Sequence, residues 1–291
     1  MGATDGAARG LIRPILVGSR KEIQAVADAH ALNLETFPIL DADTEAEAAA
    51  ICVELCRSGN AAALMKGSLQ TDVLMHAVLK DGALRTSRRM SHIFVMEAPL
   101  YHRRVLLITD AVVNIYPSLE DKVDIVQNAI DLAHALGIPE PRVAILSAIE
   151  TVNPKITSTV DAAALCKMAE RGQITGAIVD GPLAFDTAVS AEAASEKGLR
   201  SLVAGEADIL VVPDLDAGNM LAKELEYLGG AHLAGIVMGA KVPIILTSRA
   251  DSVQSRVASC AVASLLVAED VSSITAGPMA ERVILKSATT E

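Results

Sequence analysis

Aromatic residues are scarce in this sequence: they make up 2% of its 291 residues, and tryptophan is absent. The core must therefore be aliphatic, and a nucleic-acid surface built from stacking aromatic side chains is not expected. Positive charge is also in deficit, because the formal net charge is −11. This balance argues against nucleic-acid binding, whereas a small anionic ligand needs only a local basic patch.

Recognisable metal, membrane and export signals are missing as well. The four cysteines form no C-x-x-C pair, and the six histidines show no metal spacing, so no metal site is predicted. Cys52 and Cys56 lie one helical turn apart in an alanine-rich segment, which favours buried helix cysteines. No signal peptide and no apolar stretch of about 18 residues is present. We therefore expect a cytoplasmic protein that does not bind membranes.

Two nucleotide-binding signatures are absent. No G-x-G-x-x-G occurs, so a dinucleotide-binding fold has little support. Lys66-Gly67-Ser68 resembles the end of a P-loop but lacks the earlier glycine, which excludes a nucleoside triphosphatase. Lys66 follows a predicted strand, where it could meet a ligand phosphate or be an exposed loop lysine.

The stretch from Val242 to Cys260 is the strongest local pattern in the sequence. Val242–Leu246 is a short apolar run, which predicts a buried strand, and a helix capped by Asp251 or Ser252 follows. A strand end, a hydroxyl, an arginine and a helix N-terminus at one point suit an anion. The alternative is an ordinary turn with a solvated Arg249.

Predicted strands and helices alternate along the whole chain, which indicates an α/β fold with mainly parallel sheets. Polar or glycine-rich segments repeatedly follow the strands, where such sheets bind ligands. These segments contain Lys66, Asp110, Ser147, Asp180-Gly181-Pro182 with Asp186 beyond, Asp214 to Asn219, and Ser248 to Asp251. The clearest boundary signal is Gly137–Pro141, a cluster of glycine and proline.

A basic loop lies between two predicted elements, at Gly82–Arg89. It carries Arg85, Arg88 and Arg89, which could bind an anionic ligand or solvate a turn. The sequence leaves both interpretations open.

Three long strings closely resemble the phosphate acetyl/butyryltransferase family. They are IVDGPLAFDTAVS (Ile178–Ser190), ILVVPDLDAGNMLAKELEYL (Ile209–Leu228) and GAKVPIILTSRADS (Gly239–Ser252). The similarity extends to RPILVG, ALMKGSLQTDVLMHAVL, LRTSRRMSHIF and LSAIETVNPK, and so covers nearly the whole chain. The form it resembles most is the bacterial one often fused to an enoyl-CoA hydratase-like domain.

The resemblance implies the reaction of acyl-CoA with phosphate to give acyl phosphate and CoA, and its reverse, without a further cofactor. It also implies a homodimer and two three-layer α/β domains with a cleft between them. On that pattern the first domain is 1–138 plus 239–291, and the second, 139–238, is inserted in it. A strand and most of a helix usually precede the segment matching Gly2, so we expect the first sheet to lack a strand.

The resemblance also assigns the site. Arg249 would neutralise phosphate, Ser248 would donate a hydrogen bond, and Asp251 would orient Arg249, exchange a proton with the CoA sulfur or only cap the helix. The glycines would let backbone approach the ligand, and Asn219 would bond the thioester region. The implied substrate-binding residues are Lys66, Arg85, Ser147, Gly181, Pro182, Asp186, Gly218 and Asn219.

One departure concerns the proton. Some acetyltransferases carry an acidic residue one to two helical turns after the Ser-Arg pair, whereas here Gln254, Ser255 and Arg256 occupy those positions. Two other functions remain open at this point. One is a non-catalytic acyl-CoA sensor with the same fold, and the other is a metal- and nicotinamide-dependent decarboxylating dehydrogenase, for which no convincing aspartate cluster is present.

Overall fold

The computed structural model of the protein describes residues 2–103, 105–248 and 251–275, with side chains described as far as residue 268. The described chain forms ten α-helices and ten strands. The helices are α1 (Gly2–Ala8), α2 (Arg20–Ala29), α3 (Glu45–Arg57), α4 (Thr71–Leu79), α5 (Leu119–Ala135), α6 (Thr157–Glu170), α7 (Phe185–Val189), α8 (Ala191–Glu196), α9 (Leu215–Tyr227) and α10 (Val253–Thr275). The strands are β1 (Leu16–Gly18), β2 (Ile39–Asp41), β3 (Leu64–Met65), β4 (Ser91–Glu97), β5 (Leu106–Thr109), β6 (Arg142–Leu146), β7 (Ile178–Leu183), β8 (Ile209–Val211), β9 (His232–Met238) and β10 (Ile244–Ile245).

Eight strands form one sheet in the order β3-β10-β9-β4-β5-β8-β6-β7, and β1 and β2 form a separate parallel pair. Four of the seven strand pairs in the large sheet are parallel, which confirms the α/β class with a mainly parallel sheet. The antiparallel pairs differ from the arrangement that strand–helix alternation predicts. Short links explain two of them, because residues 98–105 and 239–243 are too few for a parallel crossover of about a dozen residues or more.

The strand directions divide the polar strand ends into two sets. β10 is antiparallel to β9, β9 to β4, and β4 to β5, so β10 and β5 point in opposite directions. β3 is parallel to β10, whereas β8, β6 and β7 follow the direction of β5. The segments after β3 and β10 therefore leave the sheet in one direction and those after β5 to β8 in the other, although Ile245 of β10 and Thr109 of β5 lie at the same level across the sheet.

The sheet is covered on both faces, as a three-layer fold requires. One face of the central strands packs against α5, α6 and α10, through side chains such as Ile130, Leu165 and Cys260. The other face packs against α9, where Ala222 is fully buried. Because the central strands are buried on both sides, their sequences are continuous aliphatic runs rather than alternating ones.

The large sheet runs through both of the predicted domains. β5 lies in the predicted first domain and pairs directly with β8 of the second, and β9 likewise pairs with β10. The division into 1–138 plus 239–291 and 139–238 stays a prediction. In the described part of the chain, no helix is long and apolar enough to cross a membrane.

His92 is a polar residue in the centre of this sheet. It lies on β4, is 0% exposed, and neither ring nitrogen has a hydrogen-bond partner among the described residues. Gly235 of β9 lies against this ring. A Cβ atom at Gly235 would lie 2.6 Å from the Leu246 carbonyl oxygen and 2.9 Å from His92 Nε2, so there is no room for a side chain. Burial lowers the pKa of His92 to about 4, against the opposing effect of the Asp110 carboxylate.

A buried neutral histidine makes the fold sensitive to acid. The unfolded chain binds a proton at His92 near its ordinary pKa of 6.5, whereas the folded chain does so only near 4. Stability should therefore fall as the pH drops from about 6.5 to about 4, by about 3 kcal/mol from this residue. Urea unfolding of wild type and His92→Phe should show this pH dependence only in wild type. His232→Phe, which changes an exposed histidine of β9, should behave as wild type does; equal slopes in all three proteins would contradict the assignment.

Candidate active site

The turn after β10 is held by a carboxylate that folds back onto it. Asp251 is 7% exposed, and its Oδ2 accepts a hydrogen bond of 2.7 Å from the backbone N–H of Ser248. The N–H of Asp251 in turn donates to the Ser248 carbonyl oxygen over 3.3 Å. Ser248 itself is therefore exposed while its backbone N–H is fixed by the buried Asp251 carboxylate; Arg249 lies outside the described residues.

The helix that follows is capped by Ser252 rather than by Asp251. α10 begins at Val253, and the Ser252 hydroxyl accepts a hydrogen bond of 3.0 Å from the N–H of Ser255. Of the two predicted caps, Ser252 is therefore the one that caps the helix, whereas the Asp251 carboxylate bonds the preceding turn; the catalytic and structural roles of Asp251 stay predictions. α10 is further tied to the sheet by Ser259, whose hydroxyl accepts the N–H of Gly235 at 3.0 Å.

Lys66 lies beside this turn. It follows β3, and its N–H donates to the Ile245 carbonyl oxygen of β10 over 2.9 Å. Lys66 is 7% exposed, so the alternative of an exposed loop lysine is wrong. The structure thus brings Lys66 and Ser248 to adjacent parallel strand ends.

The charge on Asp251 is set by opposing influences. Burial raises the pKa of its carboxyl group, whereas the Ser248 N–H and the ammonium of Lys223 act to lower it. Lys223 Nζ lies 3.9 Å from Asp251 Oδ1 and 2.8 Å from Glu226 Oε2. Lys223 is not among the site residues predicted from the sequence. Its position four residues after Asn219 on a helix was the available signal, because that spacing places both on one face.

A second buried carboxylate organises the loop after β5. Asp110 accepts hydrogen bonds of 2.9, 3.0 and 3.1 Å from the N–H groups of Val112, Val113 and Asn114, and one of 2.6 Å from the Asn114 side chain. The sequence places Asp110 at a strand end but does not indicate this role. An aspartate followed by backbone donors at the next few residues is a common turn arrangement.

Gly218 and Asn219 join α9 to that loop. The Asn219 side chain donates to the Ala111 carbonyl oxygen over 3.2 Å. A Cβ atom at Gly218 would lie 2.6 Å from Val212 Cγ2 and 3.1 Å from Ala111 Cα. The glycine therefore permits close packing of helix on loop, within a helix that begins at Leu215 and is capped by Asp214. Ligand contact by either residue stays a prediction.

A third group lies on β6 and β7, at the opposite edge of the sheet from β3. The Ser147 hydroxyl lies 2.8 Å from that of Ser158, and the Ser147 N–H donates to Leu183 O over 2.9 Å. A Cβ at Gly181 would lie 2.7 Å from the Ile145 carbonyl oxygen. Pro182 follows within β7. Close strand pairing therefore accounts for the glycine at this position.

Asp186 belongs to the same group and is paired within the protein. It begins the short helix α7 with Phe185 and lies 3.0 Å from Lys197 Nζ, which also contacts Glu150 at 2.9 Å. The ammonium of Lys197 lowers the pKa of Asp186. The carboxylate is thus ionised and partly neutralised by Lys197.

The basic loop is largely engaged by protein carboxylates. Arg88 pairs with Asp131, and Arg89 bonds Asn114 at 2.8 Å and pairs with Asp121 at 3.2 Å. Arg85 is exposed. Its backbone pairs with that of Ala240, shortly after β9, in an isolated antiparallel bridge. Of the three arginines, Arg85 is the one whose side chain remains most available to an anionic ligand.

α9 lies beside both the Asp110 loop and the turn after β10. It begins at Leu215, after β8. Asn219 near its start bonds the Asp110 loop, and Lys223, one turn further, faces Asp251. One helix therefore positions the loop after β5 against the turn that carries Ser248.

Comparison with known proteins relates the whole of this arrangement to one family. The model of the phosphate acetyl/butaryl transferase family matches residues 45–264. A phosphate acetyltransferase of Rhizobium meliloti is 60% identical over 92% of this chain and 84% of its own length. A phosphate butyryltransferase of Clostridium acetobutylicum is 43% identical over 90% of this chain and 87% of its own length. The crystal structure of a branched-chain phosphotransacylase from Enterococcus faecalis superposes with a TM-score of 0.75 at 33% identity, covering 87% of this chain and 99% of that one.

The contact between α9 and the Asp110 loop can be tested at Gly218. An alanine in a helix interior normally stabilises by about 1 kcal/mol relative to glycine. Here the added Cβ collides with Val212 and Ala111, so Gly218→Ala should lower the free energy of unfolding by about 1–3 kcal/mol. Met220→Ala, on the exposed side of the same helix, is the control and should change stability little. Stabilisation by Gly218→Ala in urea unfolding would show that the helix and loop are not in contact.

Proposed function

The chain belongs to the phosphate acetyl/butaryl transferase family, and from this premise we propose that it transfers a short acyl group reversibly between CoA and inorganic phosphate. The observation that carries the proposal is the turn after β10. An exposed serine stands there beside an arginine in the sequence and above a buried carboxylate, within the part of the chain that the family model matches. The substrates and products are acyl-CoA, phosphate, acyl phosphate and CoA.

The reaction needs no covalent intermediate with the enzyme. A phosphate oxygen attacks the thioester carbonyl carbon, a C–O bond forms, and the C–S bond breaks so that CoA leaves. The protein must hold a dianion near the acyl carbon, stabilise the oxyanion and deliver one proton to the sulfur. These three tasks define the roles that we assign.

We assign catalysis to the turn. Arg249 neutralises the phosphate and the developing negative charge, and Ser248 donates a hydrogen bond to the oxyanion or to phosphate. Asp251 exchanges a proton with the CoA sulfur and orients the turn. Burial supports this role, since a carboxyl group whose pKa is raised is better matched to a thiol than an exposed one.

Substrate contacts are proposed at segments that follow both sets of strands. Lys66 lies beside the turn, and α9 brings the Asp110 loop toward it, so CoA can extend from the turn toward either strand-end group. The residues that we propose to contact substrate are Lys66, Arg85, Ser147, Gly181, Pro182, Asp186, Gly218 and Asn219.

Assembly and location follow from the same family resemblance. We propose a homodimer in the cytoplasm that acts without metal or bound cofactor. The apolar side chains of Ile115, Tyr116 and Leu228, exposed by 62%, 78% and 83%, are available for subunit contact. Light scattering on the purified chain would give its mass in solution, and a monomer across micromolar concentrations would contradict the dimer.

The roles at the turn predict large kinetic losses. Ser248→Ala removes one donor to the oxyanion, and Arg249→Ala removes the cation, so each should lower kcat by on the order of 10²–10³. Phosphate-dependent release of CoA thiol from acetyl-CoA measures this directly. Ser118→Ala is the matched control: it removes the cap of α5, costs about 1 kcal/mol of stability and should leave kcat unchanged. Turnover near the wild-type rate in folded Ser248→Ala and Arg249→Ala proteins would defeat the assignment.

A further inference from the structure

Lys223 lies between three groups that respond to its charge. Its ammonium nitrogen is 2.8 Å from Glu226 Oε2, 3.9 Å from Asp251 Oδ1 and 5.6 Å from the centre of the Tyr227 ring. Its side chain is 35% exposed, so it is neither buried nor freely solvated. A cation in this position is held by its own helix on one side and faces the Asp251 carboxylate on the other.

The Asp251 carboxylate needs such a cation. Its side chain is 4% exposed, and Oδ2 is occupied by the Ser248 N–H at 2.7 Å, while Oδ1 is the oxygen nearest Lys223. An ionised carboxylate removed from water is costly unless hydrogen bonds and a nearby opposite charge compensate it. The other charged groups that act on Asp251 are Glu226 from α9, which opposes ionisation, and Arg256 from α10, which favours it.

On the basis of the proposed function, we infer that Lys223 is a positioning residue for acyl transfer, which holds Asp251 as a carboxylate and so fixes the turn that carries Ser248. Glu226 competes with Asp251 for the same ammonium. His92, on β4, is uncharged at ordinary pH because of its burial, so the cations that act on Asp251 are Lys223 and Arg256. Two opposite charges on α9, those of Lys223 and Glu226, therefore act on the Asp251 carboxylate.

This arrangement predicts effects of opposite sign from two residues on one helix. Removal of the Lys223 cation takes away an influence that lowers the pKa of Asp251, so the carboxylate should accept a proton at higher pH. Removal of the Glu226 charge takes away an influence that raises the pKa of Asp251 and leaves Lys223 free to approach it, so protonation should need lower pH. General loss of stability would not move the two variants in opposite directions.

The experiment compares the pH dependence of kcat/KM for acetyl-CoA formation from acetyl phosphate and CoA, the direction in which Asp251 must be a carboxylate to accept the thiol proton, in wild type, Lys223→Met, Lys223→Arg and Glu226→Gln. On the acid limb, Lys223→Met should lose roughly tenfold relative to its own plateau, the effect of one opposite charge at such a distance. Lys223→Arg keeps the positive charge, so its kcat/KM should fall over the same acidic pH range as that of wild type. In Glu226→Gln, the fall in kcat/KM should occur at lower pH than in wild type.

A second measurement does not depend on turnover. The ¹³C-carboxyl resonance of Asp251, identified by its loss in Asp251→Asn, should titrate at higher pH in Lys223→Met than in wild type, and at lower pH in Glu226→Gln. If wild type releases no CoA thiol, the proposed function fails, and the resonance alone decides the role of Lys223. Coincident titration of Asp251 in wild type and Lys223→Met would overturn the inference. A shift in Lys223→Met that Lys223→Arg does not correct would also overturn it, because charge would not be its cause.

Discussion

The hydrogen bond from the Ser248 backbone to the buried Asp251 carboxylate is the contact on which the candidate site depends. This bond closes the turn after β10, and α10 begins two residues after Asp251, at Val253. An aspartate side chain makes this contact with a single short bond and tolerates burial only because a backbone donor and a nearby ammonium compensate its charge. Stability of the turn and its chemistry are therefore properties of the same carboxylate.

Strand direction decides how the remaining polar residues relate to that turn. Three successive antiparallel pairings reverse β5 to β8 relative to β3 and β10, so the loop after β5 and the turn after β10 leave the sheet in opposite directions from the same level. α9 lies beside both, because Asn219 bonds the loop and Lys223, one helical turn further, faces Asp251. Close approach at Gly218 sets how far that helix lies above the sheet. The packing of one helix thus sets the position of the loop after β5 relative to the turn after β10.

Much of this fold follows from local signals in the sequence. Thr44 caps α3 by accepting the N–H of Glu47, and a threonine followed three residues later by glutamate is a local signal of a helix start. The predicted polar turn after β10 and its adjacent helix are also present. These features depend on residues close in sequence, where capping, periodicity and turn preferences act directly.

The rest depends on contacts between distant residues. The sequence has no local signal for the antiparallel pairing of β4 with β9, whose partners are more than a hundred residues apart. Gly218 suggests a helix break until its packing against Ala111 is known. Lys223 looks like an ordinary exposed helix lysine until α10 brings Asp251 beside it. Chemistry at this site therefore rests on burial and neighbours that only the folded chain supplies.

The central claim is that the Ser248–Asp251 turn is where acyl transfer takes place. A crystal structure of the protein with CoA and inorganic phosphate, a pair that cannot react, tests it most directly. The account predicts the CoA sulfur and the phosphate side by side at this turn, with phosphate near Ser248 and sulfur within hydrogen-bond reach of Asp251. A sulfur atom seated at the β6–β7 group, beside Ser147 and Gly181 and away from the turn, would contradict it.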